Sequence, residues 1–515
     1  MYEVGSQALT IRPAPRLVPK PVTPAGAVLW LILISAMLRL VFGAAMGLGI
    51  DESYMVAIGR QPQISYFDHP PISWWLSWGA ARLFHDEAAI VVRLPFIALF
   101  AATTWLMFRL TERLFSAEAG LWAAMLLNLS PVFGVTTASW VLPDGPLDCA
   151  LLGFTLCLVH ALDSKHGSRW WAAVGLWAGL ALLSKYIALL IGAGAFLYLL
   201  SEPVHRRWLR RPEPYLAALL ALLLFSPVVM WNARHGFASF LFQGGRAAGA
   251  RLHPLAPLIV LGGEALFLLP SIWLPLMASF VSSLRRGPGR NGEWLLCCLG
   301  VLPIVAFAMI ALWSQSRIFF HWAAPGYLML FPLLGRAVAA RLAEGDRKTR
   351  IWVLANAAVV IAAATLVASE ARWNWLPELG EHFAPGADPD LAAVDWSSLK
   401  TELAQRHLIG PDSPAVAAIR WHEAGKLDYA LGGTIPVLCL GKDPREYGIL
   451  RDIGAYEGRN LLIIASRSSL PQIRAEFGSM FRSIDPLPPL TVTHAGKAAM
   501  TLPLYLGRDL HRNGG

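Results

Sequence analysis

The chain has 515 residues, of which 56% are hydrophobic and 15% charged, against about 25% charged in an ordinary soluble domain. That deficit, with a mean hydropathy of +0.50, excludes a water-soluble protein of usual composition and points to lipid as the solvent for much of the chain. The net charge of +9 does not point to nucleic acid, because the basic residues gather in short connectors between apolar runs, where they act as an orientation signal.

In chain order, Arg12, Arg16 and Lys20 precede the apolar run Ala25–Ile50. The apolar core of a cleaved signal is about 7–15 residues; this run is longer and is expected to stay as a first span. A helix needs about 20 apolar residues to cross the hydrocarbon. Windows of that kind fall at 28–49, 88–110, 118–137, 146–163, 170–184, 186–201, 214–231, 255–280, 294–313, 321–341 and 351–368, about eleven spans. The short pair around Ser184-Lys185 also suits one interrupted or re-entrant unit.

With residues 1–27 as a cytoplasmic N-terminal segment, the connectors at Arg109/Arg113, Lys165/Arg169, 205–211, 285–290 and 341–350 share one side, and each carries Lys or Arg. The other side receives the first outward loop 50–87, the segment 138–145, the Lys185 turn, 232–254, 314–320 and the tail. The expected fold class is a polytopic α-helical membrane protein over 28–368 with a small C-terminal α/β soluble domain over 369–515. In a bacterium the tail is then periplasmic and the membrane is the inner one; in a eukaryote the same topology faces the endoplasmic reticulum lumen.

Within the tail, WSSLKTELAQRHL (396–408) has helical spacing. AVAAIRW, IPVLCLG and NLLIIAS are expected as buried strands, and LPQIRAEFGSMF as a helix. The tail carries no nucleotide fingerprint and suits a packing or lid domain. Cys149, Cys157, Cys297 and Cys298 lie in apolar runs and Cys439 stands alone in the tail, so neither a disulfide framework nor a Cys/His metal spacing is present.

Ionisable groups at membrane level are costly and mark function, and the outward connectors concentrate them. The first holds Asp51-Glu52, Tyr54 and, in YFDHPPISWW, Asp68-His69. Pro70-Pro71 is suited to end an extended segment 64–69 and start a helix across ISWWLSWGAARLF, with Trp74, Trp75 and Trp78, like Trp322, as interfacial belt residues. The second holds Asp144 and Asp148 in VLPDGPLD, the third Lys185 in LLSKYIALL, and a later loop Arg317 and His321 in SQSRIFFHW. Each has a structural use as well: Asp51 suits a helix N-cap, Asp144 a turn, Lys185 snorkelling to the interface and His321 an interfacial anchor.

No ATP or GTP motif is present, so chemistry on the outward face needs an activated substrate already in the membrane. A polyprenyl-phosphate sugar meets that need. Its leaving group is a phosphate monoester with a second pKa of about 6, so it departs without a protonating acid. The site must supply positive charge for the phosphate and a carboxylate to take the acceptor proton. The competing class is a membrane transporter or flippase for a lipid-linked or anionic substrate, using the same charges as a pathway; the large first loop, the long tail and the absence of obvious repeat halves favour an enzyme.

Taken together, Asp-Glu after the first span, YFDHPPISWW, LPDGPLDCALL, LLSKY and RIFFHWAAPGYLMLFPL resemble the C-type (GT-C) membrane glycosyltransferases, in the branch of protein O-mannosyltransferases and bacterial lipid A aminoarabinose transferases. The resemblance spans about the first two-thirds of the chain. It implies inverting transfer from a polyprenyl-phosphate sugar to lipid A or its core, an envelope glycan or a protein. It places catalytic carboxylates at Asp51, Glu52 and Asp144, with Asp51 as the base, and donor-phosphate contacts at His69, Lys185, Arg317 and His321. Tyr54, Asp68 and Asp148 fall among the substrate-loop residues. His69 stands where the aminoarabinose branch has Lys before Pro-Pro, which exchanges a fixed cation for a group titrating near pH 6.5. Some relatives use a divalent metal ion beside the donor phosphate, and Asp51, Glu52, Asp144 and His69 are its candidate ligands here.

Overall fold

The computed structural model describes residues 22–163, 168–249, 251–373, 375, 394–410, 413–466, 468–494 and 497–511. The expectations for Arg12, Arg16, Lys20 and Lys165, and for the start of the tail at 376–393, lie outside the described residues.

Each of the eleven apolar windows falls on a helix or a bent helix pair. The membrane-level helices are α1 (Pro24–Ala45), α4 (Ala89–Leu114), α5 (Ala117–Leu129), α6 (Asp144–Asp163), α7 (Ser168–Ser184), α8 (Ala188–Ser201), α9 (Glu213–Arg234), α11 (Ala256–Leu268), α12 (Pro270–Arg286), α13 (Asn291–Ile310), α14 (Ala324–Leu328), α15 (Phe331–Ala343) and α16 (Arg347–Trp373). Here α2 (Ile50–Gly59) and α3 (Ile72–Phe84) belong to the first loop, between α1 and α4, and α10 (Ala238–Gly245) to a later one. Among the described residues six helices are long and apolar enough to cross a membrane alone, or up to eight if each bent pair is one span. One pair bends by 113° at Leu269-Pro270 and the other by 59° around Met329-Leu330. Proline starts the second helix of each pair or sits in its first turn, where its missing N–H costs nothing. The chain is an integral membrane protein, held by a helical core because lipid offers the backbone no hydrogen bonds.

One end of the bundle gathers the starts of α4 and α6, the α7–α8 break at Lys185, and α2, α3 and α10. At the other end Arg113 pairs with Asp163 at 3.3 Å, and Glu293 holds both Arg286 and Arg336.

In the first loop, Pro71 caps α3 with φ −82° and ψ −14°, so the helix begins where the proline pair predicts. The segment before it is a series of bends, not an extended strand. Trp74 is not a belt residue. It is fully buried and stacks on Tyr66 with ring centroids 4.3 Å apart. Its neighbour Trp75 is exposed at the indole face and donates from Nε1 to Gln63 O at 2.8 Å.

The tail contains α17 (Ser398–Gln405), α18 (Trp421–Leu431), α19 (Glu446–Leu450), α20 (Leu470–Phe477) and strands β1 (Ala415–Ala418), β2 (Val437–Cys439), β3 (Leu461–Ile464), β4 (Phe481–His494) and β5 (Lys497–Leu510). The sheet order is β2-β1-β3-β5-β4, parallel among the first three and antiparallel at β5 and β4. The three apolar runs predict β1, β2 and β3; the long β4–β5 hairpin is additional. All five cysteines are buried free thiols.

The tail docks on the first loop through α18 against α2. Gly425 makes the approach close: a Cβ there would sit 2.8 Å from both Cα and Cβ of Tyr54. Lys426 then reaches Leu48 O at 2.6 Å and Val394 O at 2.9 Å, and Arg60 pairs with Asp428 at 3.0 Å.

Candidate active site

Asp51 and Glu52 are adjacent in the first turn of α2 and point about 100° apart. Glu52 turns inward. Its Oε1 accepts from Arg93 Nε at 2.8 Å and Val141 N at 3.0 Å, and its Oε2 from Gly49 N at 2.9 Å and Arg93 Nη2 at 2.5 Å. Arg93 also donates to the carbonyls of Gly43, Met46 and Gly47. Burial alone would raise the Glu52 carboxyl, but the Arg93 charge and these bonds hold it below the usual range. All its acceptor directions are taken. Glu52 thereby clasps the α1–α2 junction to α4, a structural role beside the catalytic one that the resemblance implies.

Asp51 turns outward. It is exposed at the surface, and Arg445, Asp68, Glu52 and Lys185 are the charged groups that act on it. Among the described residues no hydrogen bond to its carboxylate is seen. Removal from bulk water raises its pKa; Arg445 opposes the shift, Asp68 and Glu52 add to it, and Lys185 opposes it.

Asp144, the first residue of α6, accepts both Lys185 bonds, at 2.8 and 3.0 Å. Both side chains are nearly buried, and the break between α7 and α8 delivers the ammonium there. One turn along α6, Asp148 is buried with Oδ2 unpartnered. Asp68 accepts from Tyr54 OH at 2.6 Å and from Arg445 Nη1 at 2.7 Å. His69 shares the cleft with Lys185, Asp144, Arg246 and Arg445. Burial first, then Lys185, press its imidazole well below the usual histidine range. Its Nδ1 is buried and unpartnered. His321 faces Asp144 and Lys185 electrostatically. Arg317 is exposed over Phe319, 5.4 Å from the ring centroid, and stays at the rim.

Two arginines that sequence reasoning missed complete the cleft. Arg246 follows α10 and lies over Phe242 and Trp322, 4.3 and 5.2 Å from their centroids. Among the described residues it has no carboxylate partner. Arg445 comes from the tail and stacks 3.6 Å over Trp421. Its neighbour Glu446 accepts from Gln63 Nε2 at 2.6 Å and Phe67 N at 2.7 Å. The tail thus builds part of the cleft, beyond the packing or lid role its composition suggests.

The donor set does not fit a divalent metal ion. Glu52 is saturated, Asp144 is held by Lys185, and among the described residues no three His, Cys, Asp or Glu side chains converge. What remains is Asp51, an exposed carboxylate with no hydrogen bond seen among the described residues, within electrostatic reach of Arg445 and Lys185, which are paired, and of Arg246. That combination suits proton abstraction beside a bound anion.

The family model for dolichyl-phosphate-mannose-protein mannosyltransferase matches residues 68–231. A lipid A galacturonosyltransferase, RgtD of Rhizobium johnstonii, is 22% identical over 186 residues, 36% of this chain and 38% of that protein. The match therefore spans well under half of the relative. The ArnT structure from Cupriavidus metallidurans in the apo state superposes with a TM-score of 0.64 at 14% identity, over 93% of this chain and 98% of that one. The same protein bound to undecaprenyl phosphate gives 0.62 at 15% identity, over 93% and 97%. Nearly the whole chain thus has the fold of a C-type (GT-C) membrane glycosyltransferase.

Proposed function

We infer that the protein transfers a sugar from a polyprenyl-phosphate donor to an acceptor hydroxyl, with inversion at the anomeric carbon. The acceptor oxygen attacks that carbon, the bond to the phosphate oxygen breaks, and the acceptor proton passes to Asp51. The polyprenyl phosphate leaves as an anion. Arg246 and Lys185 are the cations for its charge, with Arg246 free to bind directly and Lys185 shared with Asp144. His69, with its unpartnered Nδ1, can offer a hydrogen bond.

The single observation that carries this reading is Asp51, a free carboxylate in a cleft lined by Lys185, Arg246 and Arg445. Its setting, in the fold of a protein solved with undecaprenyl phosphate, supports a lipid-linked donor. The reading places the cleft on the outward face, periplasmic in a bacterial inner membrane, with the N-terminus cytoplasmic and the tail outside. Lipid A or its core, another envelope glycan and a protein are the acceptor classes, in line with the printed names of the relatives.

Mass spectrometry of lipid A, glycans and envelope proteins from cells with and without the protein tests this. The expected difference is the mass of one sugar residue on one acceptor class. Identical spectra, or substrate flux through vesicles without any transfer, would refute it.

A further inference from the structure

We propose that Arg445 is a positioning residue: the docked C-terminal domain delivers its guanidinium to Asp68, and through that pair it keeps the Asp51 carboxylate ready to accept a proton. Transfer then depends on docking of a domain that lies far away in sequence. This inference rests on the function proposed above.

The strap that carries Arg445 is built at a conformational cost. Tyr447 N donates to Pro444 O at 3.1 Å, closing a tight turn. Arg445 occupies its second position with φ 48° and ψ −132°, the backbone of a type II′ turn, which favours glycine. A β-carbon there is strained. The strain is spent on placing a side chain. The guanidinium lies 3.6 Å over Trp421, bonds Asp68 at 2.7 Å and has only a long 3.6 Å contact from Nε to Asp443.

The docking itself does not need this guanidinium. Glu446 binds Gln63 and Phe67, Lys426 binds Leu48 and Val394, and Arg60 binds Asp428. Around Asp51 the charged groups are Glu52 from its own helix, Asp68 from the first loop, Lys185 from the α7–α8 break, Arg246 after α10, and Arg445. Lys185 is neutralised by Asp144 and Glu52 by Arg93. Without Arg445 the charge of Asp68 would face Asp51 with only the Tyr54 hydroxyl and Arg246 to offset it.

The test uses the full chain in proteoliposomes with a lipid-linked sugar. Arg445→Gly removes the charge and relieves the turn. Arg445→Gln keeps an amide donor for Asp68, and Arg445→Lys keeps the charge. Docking is read as protease resistance of the segment 443–447. We expect Gly and Gln to stay docked and to shift the acid limb of the pH–rate profile upward by about one unit or more, so that the loss is largest at low pH and shrinks as pH rises. Lys should lie between them and the wild type. A wild-type profile in docked Arg445→Gly overturns the inference. So does undocking of both uncharged variants, which would make the role structural. Full activity of Asp51→Asn in the same assay would instead overturn the functional reading.

Discussion

Arg445 of the tail donates from Nη1 to Oδ1 of Asp68 in the first loop, across 2.7 Å and 377 residues of sequence. The same Asp68 takes the Tyr54 hydroxyl at 2.6 Å, and Tyr54 is the residue whose backbone Gly425 lets α18 approach. Domain docking and the polar cleft are therefore one construction.

Gly425→Val should break it. The added β-carbon meets Tyr54 at 2.8 Å, and overpacking of this kind costs about 1–3 kcal/mol. The expected result is protease sensitivity of α18 and β1 with a loss of transfer of about 5- to 150-fold, since each 1.4 kcal/mol is a factor of ten. A docked and fully active variant would contradict the interface.

Glu52→Gln should lower stability, not the activity of the folded fraction. It removes the charge from a fully buried pair with Arg93, and breaking such a pair costs about 3–5 kcal/mol. Thermal unfolding in detergent should show a clear drop in midpoint, and rates normalised to folded protein should stay close to wild type. A normal midpoint with lost activity would place Glu52 in the catalytic set.

Docking should be weakest between about pH 7 and 8. Burial raises the Glu446 carboxyl to about 7, so the folded state binds more protons than the unfolded state above the ordinary glutamate value. Stability then falls as pH rises from about 4.3 to 7. Burial lowers Lys426 to about 8, so here the unfolded state binds more protons. Stability rises between about pH 8 and 10.4. Protease resistance of the tail against pH checks both limbs. Glu446→Gln should flatten the acid limb, and Lys426→Met the alkaline one.

Arg246→Ala should raise KM for the lipid-linked donor by about 10- to 100-fold, the worth of one charge-assisted hydrogen bond of roughly 1.5–3 kcal/mol. Its melting point should barely change, because no carboxylate is left unpaired. Arg317→Ala, at the exposed rim, should alter KM by less than about threefold. Steady-state kinetics on the two variants decide which arginine serves the phosphate.

Much of the fold is legible in the chain because lipid demands continuous apolar helices, and buried parallel strands such as β1, β2 and β3 are short continuous apolar runs. The β4–β5 hairpin was hidden by Asp485-Pro486-Leu487-Pro488-Pro489, which interrupts the strand pattern. The structure absorbs the interruption as a register shift between Leu487 and Leu490. Of the site, Asp51, Asp144 and Lys185 are visible as charges within or beside apolar runs. The burial of Glu52 is not legible because adjacent helical residues face different ways, and only the position of Arg93 reveals which one is buried. Arg246 and Arg445 sit in loops where arginine is ordinary. Their aromatic neighbours Phe242 and Trp421 are a signal only once the loops are folded together. His69 titrates near pH 6.5 in isolation, and only the folded neighbourhood shows that burial, then Lys185, press it downward.

The most direct test of the central claim is transfer of labelled sugar from a polyprenyl-phosphate donor in proteoliposomes, comparing wild type with Asp51→Asn of equal melting point. General-base catalysis is worth about 10²–10⁴-fold, so the rate should fall by that factor and lose its acid limb, while donor binding stays intact. Transfer at the wild-type rate by the folded Asp51→Asn protein would contradict the account.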